Sequence, residues 1–383
     1  MDKKNKNPNV PNLRFSYKGD WSKRKLNEIC LFFKGNGLSK SDLSNEGFPC
    51  ILYGELYTTY KNEVISDIIS KTNTTLSNPF LSRNNDLIIP GSGEDPIDIA
   101  VARAIYQNDI ILGGDLNILR PKSNVSAAFL SYQLNGVRRY DIAKKAQGKS
   151  IVHLHNSDLK EVLVSIPSYD EQLHIVKLLT KIDERIQTQS KIINDYKLLK
   201  RYITKSFIKQ KGTSYLLSEI AELGRGRVIS SAEISKQKNP IYPVYSSQTS
   251  NNGVMGYLDN YDYEGEYITW TTDGANAGTV YYRNGKFNCT NVCGILKIKN
   301  GYDAYYISNI LNCYTKKYVS TNLANPKLMN NVMANIKINL PSIERQKYFS
   351  NILKAIEYRI KIEQDIKLNL VKQKVFLLKN MFL

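Results

Sequence analysis

One short motif occurs twice, and each copy is followed by a long run of regularly spaced apolar residues. Ile166-Pro167-Ser168 leads to Gln172, and Leu340-Pro341-Ser342 leads to Gln346, so the two prolines stand 174 residues apart in a chain of 383. The register persists beyond the motif: Leu179 falls on Leu353, Ile182 on Ile356, Arg185 on Arg359 and Ile186 on Ile360. A repeat of this size means two similar folding units rather than one large core, as the length also favours.

Behind each proline the apolar residues recur at three- and four-residue steps, with no glycine or proline between them. Ile175, Leu179, Ile182, Ile186, Ile193 and Ile203 mark the first run, from Tyr169 to about Lys209. Phe349, Leu353, Ile356, Ile360, Leu370 and Leu377 mark the second, from Ile343 to about Lys379. The spacing predicts two long helices of coiled-coil type, each roughly 60 Å long at about 1.5 Å per residue. Gln189 and Glu363, again 174 apart, interrupt the apolar seam at equivalent places. In an antiparallel pair they would meet near the crossing point as a polar layer that fixes register.

Ahead of each long run lies a globular stretch. Lys25-Leu26-Asn27-Glu28-Ile29 resembles Leu216-Leu217-Ser218-Glu219-Ile220 at an offset of 191, where Gly35 also meets Gly226, Ser39 meets Ser230 and Pro49 meets Pro240. Leu130-Ser131 and Leu134-Asn135 match Ile307-Ser308 and Leu311-Asn312 at an offset of 177. The shrinking offset places insertions in the first head, and loops absorb such changes. Short apolar runs predict strands at 87–89, 110–112, 267–270, 279–282 and 294–298, with turns at Gly113-Gly114, Asp273-Gly274 and Asn284-Gly285. Short helices fit 127–135 and 305–312. The fold class is α+β, with a mixed, twisted, partly barrel-like sheet in each head. The chain then divides into a flexible basic lead at 1–20, a first head at 21–166, a central long helix at 167–211, a second head at 212–340 and a C-terminal long helix at 341–383.

Lysine and arginine outnumber aspartate and glutamate by 53 to 35, a formal net charge of +18. Such an excess suits a polyanionic partner, nucleic acid first. No apolar run is long enough to span a membrane, and Met1–Asn12 lacks the apolar core of a signal peptide. The expectation is a cytoplasmic protein with no membrane partner. The five cysteines, an odd number, read as reduced thiols. Cys289-x-x-x-Cys293 has no second pair at zinc spacing.

No catalytic constellation stands out. The phosphate loop of nucleotide hydrolases is missing, and Gly274-x-x-x-Gly278 lacks its lysine and reads as a tight turn. His153, His155 and His174 form no recognisable ligand set, so neither catalytic residues nor metal ligands are assigned. The Asn/Asp-Pro-Pro-Tyr/Phe sequence of amino-methyltransferases does not occur. The candidate contacts are polar and basic instead. Gly224-Arg225-Gly226-Arg227 offers two cations on a turn, suited to phosphates. Ser247 and Gln248, in the polar run 245–253, can reach base edges. Tyr53, Glu55 and Tyr57, with Ser92, hold analogous places in the first head. Lys34, Arg103 and Lys149 there, and Thr272, Asn276 and Arg283 in the second head, complete the candidate DNA-binding residues.

The order of these motifs resembles the specificity subunit of type I restriction-modification systems. Pro11-Asn12-Leu13-Arg14-Phe15 and Asp20-Trp21 open the chain, and the two Pro-Ser-x-x-x-x-Gln helices each follow a variable head. Tyr53-Gly54-Glu55-Leu56-Tyr57-Thr58 and the stretch Gly113-Gly114-Asp115-Leu116-Asn117-Ile118-Leu119-Arg120-Pro121 are similar to one class of its target-recognition domain. The resemblance implies a non-catalytic subunit in which each head reads one half of a bipartite, asymmetric site in double-stranded DNA. The long helices would pack antiparallel and set the unread spacer. Two methylation subunits would dock on this frame, with up to two restriction subunits. S-adenosylmethionine, ATP and Mg would be bound by those partners and none by this chain, so adenine methylation and cleavage would occur there. One departure from the family pattern stands out. Ile343-Glu344-Arg345-Gln346 replaces the commoner acidic pair before the glutamine, which implies altered docking at that end. Two other readings compete: a coiled-coil scaffold without DNA readout, which leaves the charge unexplained, and a self-contained modification enzyme, which needs a motif the chain lacks.

Overall fold

The computed structural model describes residues 8–320 and 325–383. The first seven residues of the expected basic lead lie outside the described residues. Two compact units form, one from the residues up to Ser190 together with Asp365–Leu383, the other from Lys191–Gln364. Each combines an α+β head with a share of both long helices. Those helices are unbroken over Tyr169–Ile208 and Ile343–Met381. No helix among the described residues is long and apolar enough to cross a membrane.

In the first unit a five-stranded sheet runs in the order Cys30–Lys34, Leu116–Pro121, Asp86–Pro90, Arg103–Ile105, Val64–Ile65. Asp86–Pro90 is buried along its whole length, because both faces are covered. Leu87 and Ile89 point to one side, into a core shared with Leu130 and Leu134 of the helix Ala127–Asn135. Ile88 points to the other, against Ile51, Leu56 and Leu112. A smaller sheet orders Ile111–Leu112, Phe48–Ile51, Ser70–Thr72 and Leu43–Ser44.

The two long-helix segments of this unit enclose Trp21. Its ring meets Phe129 and Phe382 at centroid distances of 5.7 and 6.3 Å, while Leu377 and Met381 join Ile175, Leu179 and Ile182 in the same core. Beside that core, Lys374 Nζ lies 2.6 Å from both Glu63 Oε2 and Asp183 Oδ1, and the Tyr132 hydroxyl donates to Asp183 at 2.7 Å. From Asn9 onward the lead bonds to the rest of the unit. Arg14 grips Glu171 through two 2.7 Å bonds, the Leu13 amide donates to the Asn380 carbonyl, and the Trp21 amide donates to that of Asn9. Glu171, buried in the fold, takes Arg14 as its cationic partner.

In the second unit one six-stranded sheet runs in the order Ala221–Arg225, Cys293–Ile298, Tyr263–Thr271, Val280–Cys289, Tyr242–Tyr245, Val254–Leu258. Among the described residues, its first and last strands do not pair with each other, nor do those of the five-stranded sheet, so neither sheet closes into a barrel. Asn284-Gly285, expected as a hairpin turn, lies inside a ten-residue strand. Gly285 pairs directly with Gly265, and both sit at φ +106°. The two glycines permit a local distortion there while the ladder continues past it. Phe207 stacks on Phe349 at 3.8 Å, and Lys200 pairs with Glu357. Within this unit the two helix segments therefore run antiparallel. Gln189 is buried in the first unit; Glu363 is buried in the second, with Arg359 at 2.6 Å.

The repeated residues perform repeated work. Gln172 accepts from the Ser126 amide and donates to the Pro167 carbonyl; Gln346 accepts from the Asp303 amide and donates to that of Pro341. Ser126 and Asp303 are the N-caps of the head helices Ala127–Asn135 and Ala304–Tyr314. At the far ends of those helices Asn135 clasps both backbone groups of Ala102, and Asn312 clasps both of Val280. Each head is also closed by an antiparallel clip, Ser22–Lys25 with Leu163–Ile166 and Thr213–Leu216 with Lys337–Leu340.

Candidate nucleic-acid interface

Each head contains one pair of parallel neighbours that ends in the same way. Phe48–Ile51 lies beside Ile111–Leu112, with Ile51 opposite Leu112; Tyr242–Tyr245 lies beside Val280–Cys289, with Tyr245 opposite Cys289. The ladder takes one further step in both, Gly113 N to Ile51 O at 2.9 Å and Thr290 N to Tyr245 O at 2.8 Å. The chains then diverge, and a cleft opens beyond the carboxyl ends, where parallel strands commonly leave one.

In the first head the cleft measures about 770 Å³ and includes Leu38, Lys40, Tyr53, Glu55, Gly114 and Asp115 among its walls. In the second it measures about 470 Å³ and includes Ile229, Ser246, Ser247, Gln248, Asn276 and Asn291. Leu38 and Ile229 correspond at the offset of 191 seen in the sequence. Gly35 and Gly226 correspond at the same offset, and each passes hard against the diverging loop. A Cβ on Gly35 would lie 2.1 Å from the Gly113 oxygen, and one on Gly226 would lie 2.0 Å from that of Cys289. The recurrent glycines are thus close-approach positions that let the loop sit where it does.

The second cleft is built from short polar side chains. Asn251, Asn252 and Gly253 follow one another at φ 48°, 52° and 84°, a left-handed run that asparagine and glycine tolerate best. Gln248 steadies that loop by donating to the Val254 carbonyl at 2.5 Å. Asn276 donates to Thr249 at 3.1 Å, and Asp273 is engaged by Thr272 and Lys327. Cys289 and Cys293 flank the tip 290–292 and are buried, and burial pushes the Cys289 thiol well up.

The structure gathers Ser247, Gln248 and Asn276 in one cleft and Tyr53 with Glu55 in the other. It disperses the remaining candidates. Arg103 is buried, with Nε donating to the Leu56 and Tyr60 carbonyls, and burial lowers its pKa. Arg283 is buried, with Nε donating to Thr269 and the guanidinium 3.5 Å from the Tyr245 ring centroid; burial again lowers its pKa. Thr272 and Ser92 are buried, donating to Asp273 and to Asp115. These four correct the expectation of surface contacts, since polar side chains enclosed by the fold bond to the fold. Tyr57 lines a separate cavity of about 260 Å³ with Glu63, Arg103 and Arg139. Arg227 is held by Glu233 at 2.7 Å and Asp262 at 3.1 Å, which neutralise the charge expected to face phosphate. Arg225 is exposed and donates to Asn330 at 3.1 Å, while Lys34 and Lys149 are exposed without forming part of either cleft wall. Sequence reasoning missed Lys40 and Asn291; Asn291 could have been suspected from the turn implied between Cys289 and Cys293.

Two diverged α+β heads, each with a cleft of the same construction and each tied to a long helix by the same glutamine, define a paired recognition protein. The chain belongs to the type I restriction modification DNA specificity domain family, whose profile matches residues 18–197 and 212–373. A relative from Mycoplasma pneumoniae, the specificity subunit of the type I restriction enzyme MpnII, is 42% identical over 146 residues, 38% of this chain and 43% of that protein. A second protein of that organism, named as a candidate type I specificity subunit, is 36% identical over 204 residues, 52% of this chain and 84% of its own length. Among solved structures, the S subunit of a type I restriction-modification system from M. genitalium superposes with a TM-score of 0.66 over 98% of this chain and 99% of that one. At 17% identity this is a likeness of fold.

Proposed function

We propose that this chain is the DNA-reading, non-catalytic subunit of a type I restriction-modification complex, and that each head reads one half of a bipartite asymmetric site. The observation that carries this reading is the pair of equivalent clefts with different walls: Tyr53, Glu55 and Asp115 in one, Ser247, Gln248 and Asn291 in the other. One frame with two chemistries is what recognition of two unlike half-sites requires. The charge of +18 supplies the sequence-independent attraction to double-stranded DNA. In this reading the long helices set the unread spacer and dock two methylation subunits. Up to two restriction subunits can join the same assembly. Adenine methylation from S-adenosylmethionine and the ATP- and Mg-dependent steps belong to those partners.

DNA binding by the purified complex, titrated at several salt concentrations, tests the proposal. Binding should weaken linearly in log–log form as salt rises, and one bipartite sequence should survive competition with bulk DNA. Affinity that ignores both salt and sequence would favour a scaffold with no readout.

A further inference from the structure

Within the second cleft most polar side chains are already committed to the protein. Gln248 is bonded to Val254, Asn276 to Thr249, and Asp273 to Thr272 and Lys327. The Thr290 hydroxyl has no partner but is buried; Ser247 and Asn291 differ from all of these. Among the described residues, neither side chain has a hydrogen-bond partner in the protein, and Asn291 is exposed at the tip of the loop between Cys289 and Cys293. They stand on the two chains that diverge from one parallel strand pair, so they flank the cleft mouth from opposite sides.

We infer that Ser247 and Asn291 are the specificity-determining residues of the second head, reading uncharged base edges, and that Gln248 is a positioning residue. This rests on the DNA-specificity reading above. Three observations support base edges over phosphates. Arg227 is neutralised by carboxylates, Arg283 is enclosed, and no cation lines the cleft among the described residues. The carboxylate that lines it, Asp273, is paired with Lys327 and bonded by Thr272, so that wall offers a phosphate no unpaired cation. A carboxamide, by contrast, offers the paired donor and acceptor that match a base edge in the major groove. The first head points the same way. Counting outward from the shared ladder step, Tyr53 occupies the place of Ser247 and Gly114 that of Asn291. The frame therefore keeps these two positions while changing what they present.

The test is methylome sequencing of cells expressing this chain with its methylation partner, comparing wild type with Asn291→Ala, Asn291→Gly and Ser247→Ala. Each variant should relax one or two positions of one half-site, lowering discrimination there by about tenfold or more. The other half-site and the spacing should stay unchanged. Gly is included because the first head already carries it at that place. A wild-type bipartite motif that all three variants leave unaltered would overturn the assignment and leave the DNA-reading function standing. So would uniform loss of methylation in both Asn291 variants. A wild type that directs no bipartite motif would overturn the functional reading itself.

Discussion

The side chain of Gln346 accepts a hydrogen bond from the backbone amide of Asp303 at 3.0 Å, 43 residues earlier in the chain. Gln172 does the same to Ser126 at 2.9 Å in the other unit. Each glutamine is buried and joins the first turn of a long helix to the N-cap of a head helix. Gln346→Ala strands the Asp303 amide and should destabilise the second unit by about 1–3 kcal/mol, the cost of an unsatisfied buried group. Gln172→Ala should do likewise in the first. Urea unfolding of each variant measures this; an unchanged midpoint in both would show that the motif is retained for another reason.

Lys374 is the cation between Glu63 and Asp183. Lys374→Met leaves two buried carboxylates facing each other and should cost about 3–5 kcal/mol. The loss should depend on pH with a definite sign. Burial raises the Asp183 pKa from its ordinary value, and Lys374 opposes that rise. A raised carboxyl pKa gives a contribution that is complete below the unfolded value and lost as pH climbs through the folded one. Removing Lys374 widens that window, so the Tm deficit should be greatest at neutral pH and shrink on acidification. A second change, Asp183→Asn, should recover part of it. A deficit that grows as pH falls would refute the assignment.

Two glycines on either side of Arg225 provide a matched pair. A Cβ on Gly226 would lie 2.0 Å from the Cys289 oxygen and 2.6 Å from that of Thr290, whereas one on Gly224 meets nothing within 4 Å. Gly226→Ala should cost about 1–3 kcal/mol, the range for overpacking, and displace the loop bearing Asn291. Gly224→Ala should be close to neutral. Thermal melts of the two variants separate the cases, and equal effects would contradict the close-approach account.

The long helices were legible because nothing in 169–208 or 343–381 interrupts their periodicity. The offsets in the heads were legible too, and Gly35 with Gly226 and Asn135 with Asn312 proved to be structural equivalents. Their reasons were not, since each acts on a partner distant in sequence. The same limit misdirected the site. Arg227, directly after Gly226, reads as a phosphate contact until Asp262, 35 residues on, is found beside it. Asn284-Gly285 has the local chemistry of a turn, but pairing along 263–270 carries the strand through it. The clefts depend on parallel pairings between distant segments, which no local pattern announces.

In the proposed function each head reads its own half of one site. Replacing residues 213–340 with the corresponding head of a relative, and sequencing the methylome of cells that also express the methylation partner, tests it most directly. One half of the bipartite motif should change while the other half is retained. A change in both halves, or in neither, would contradict it.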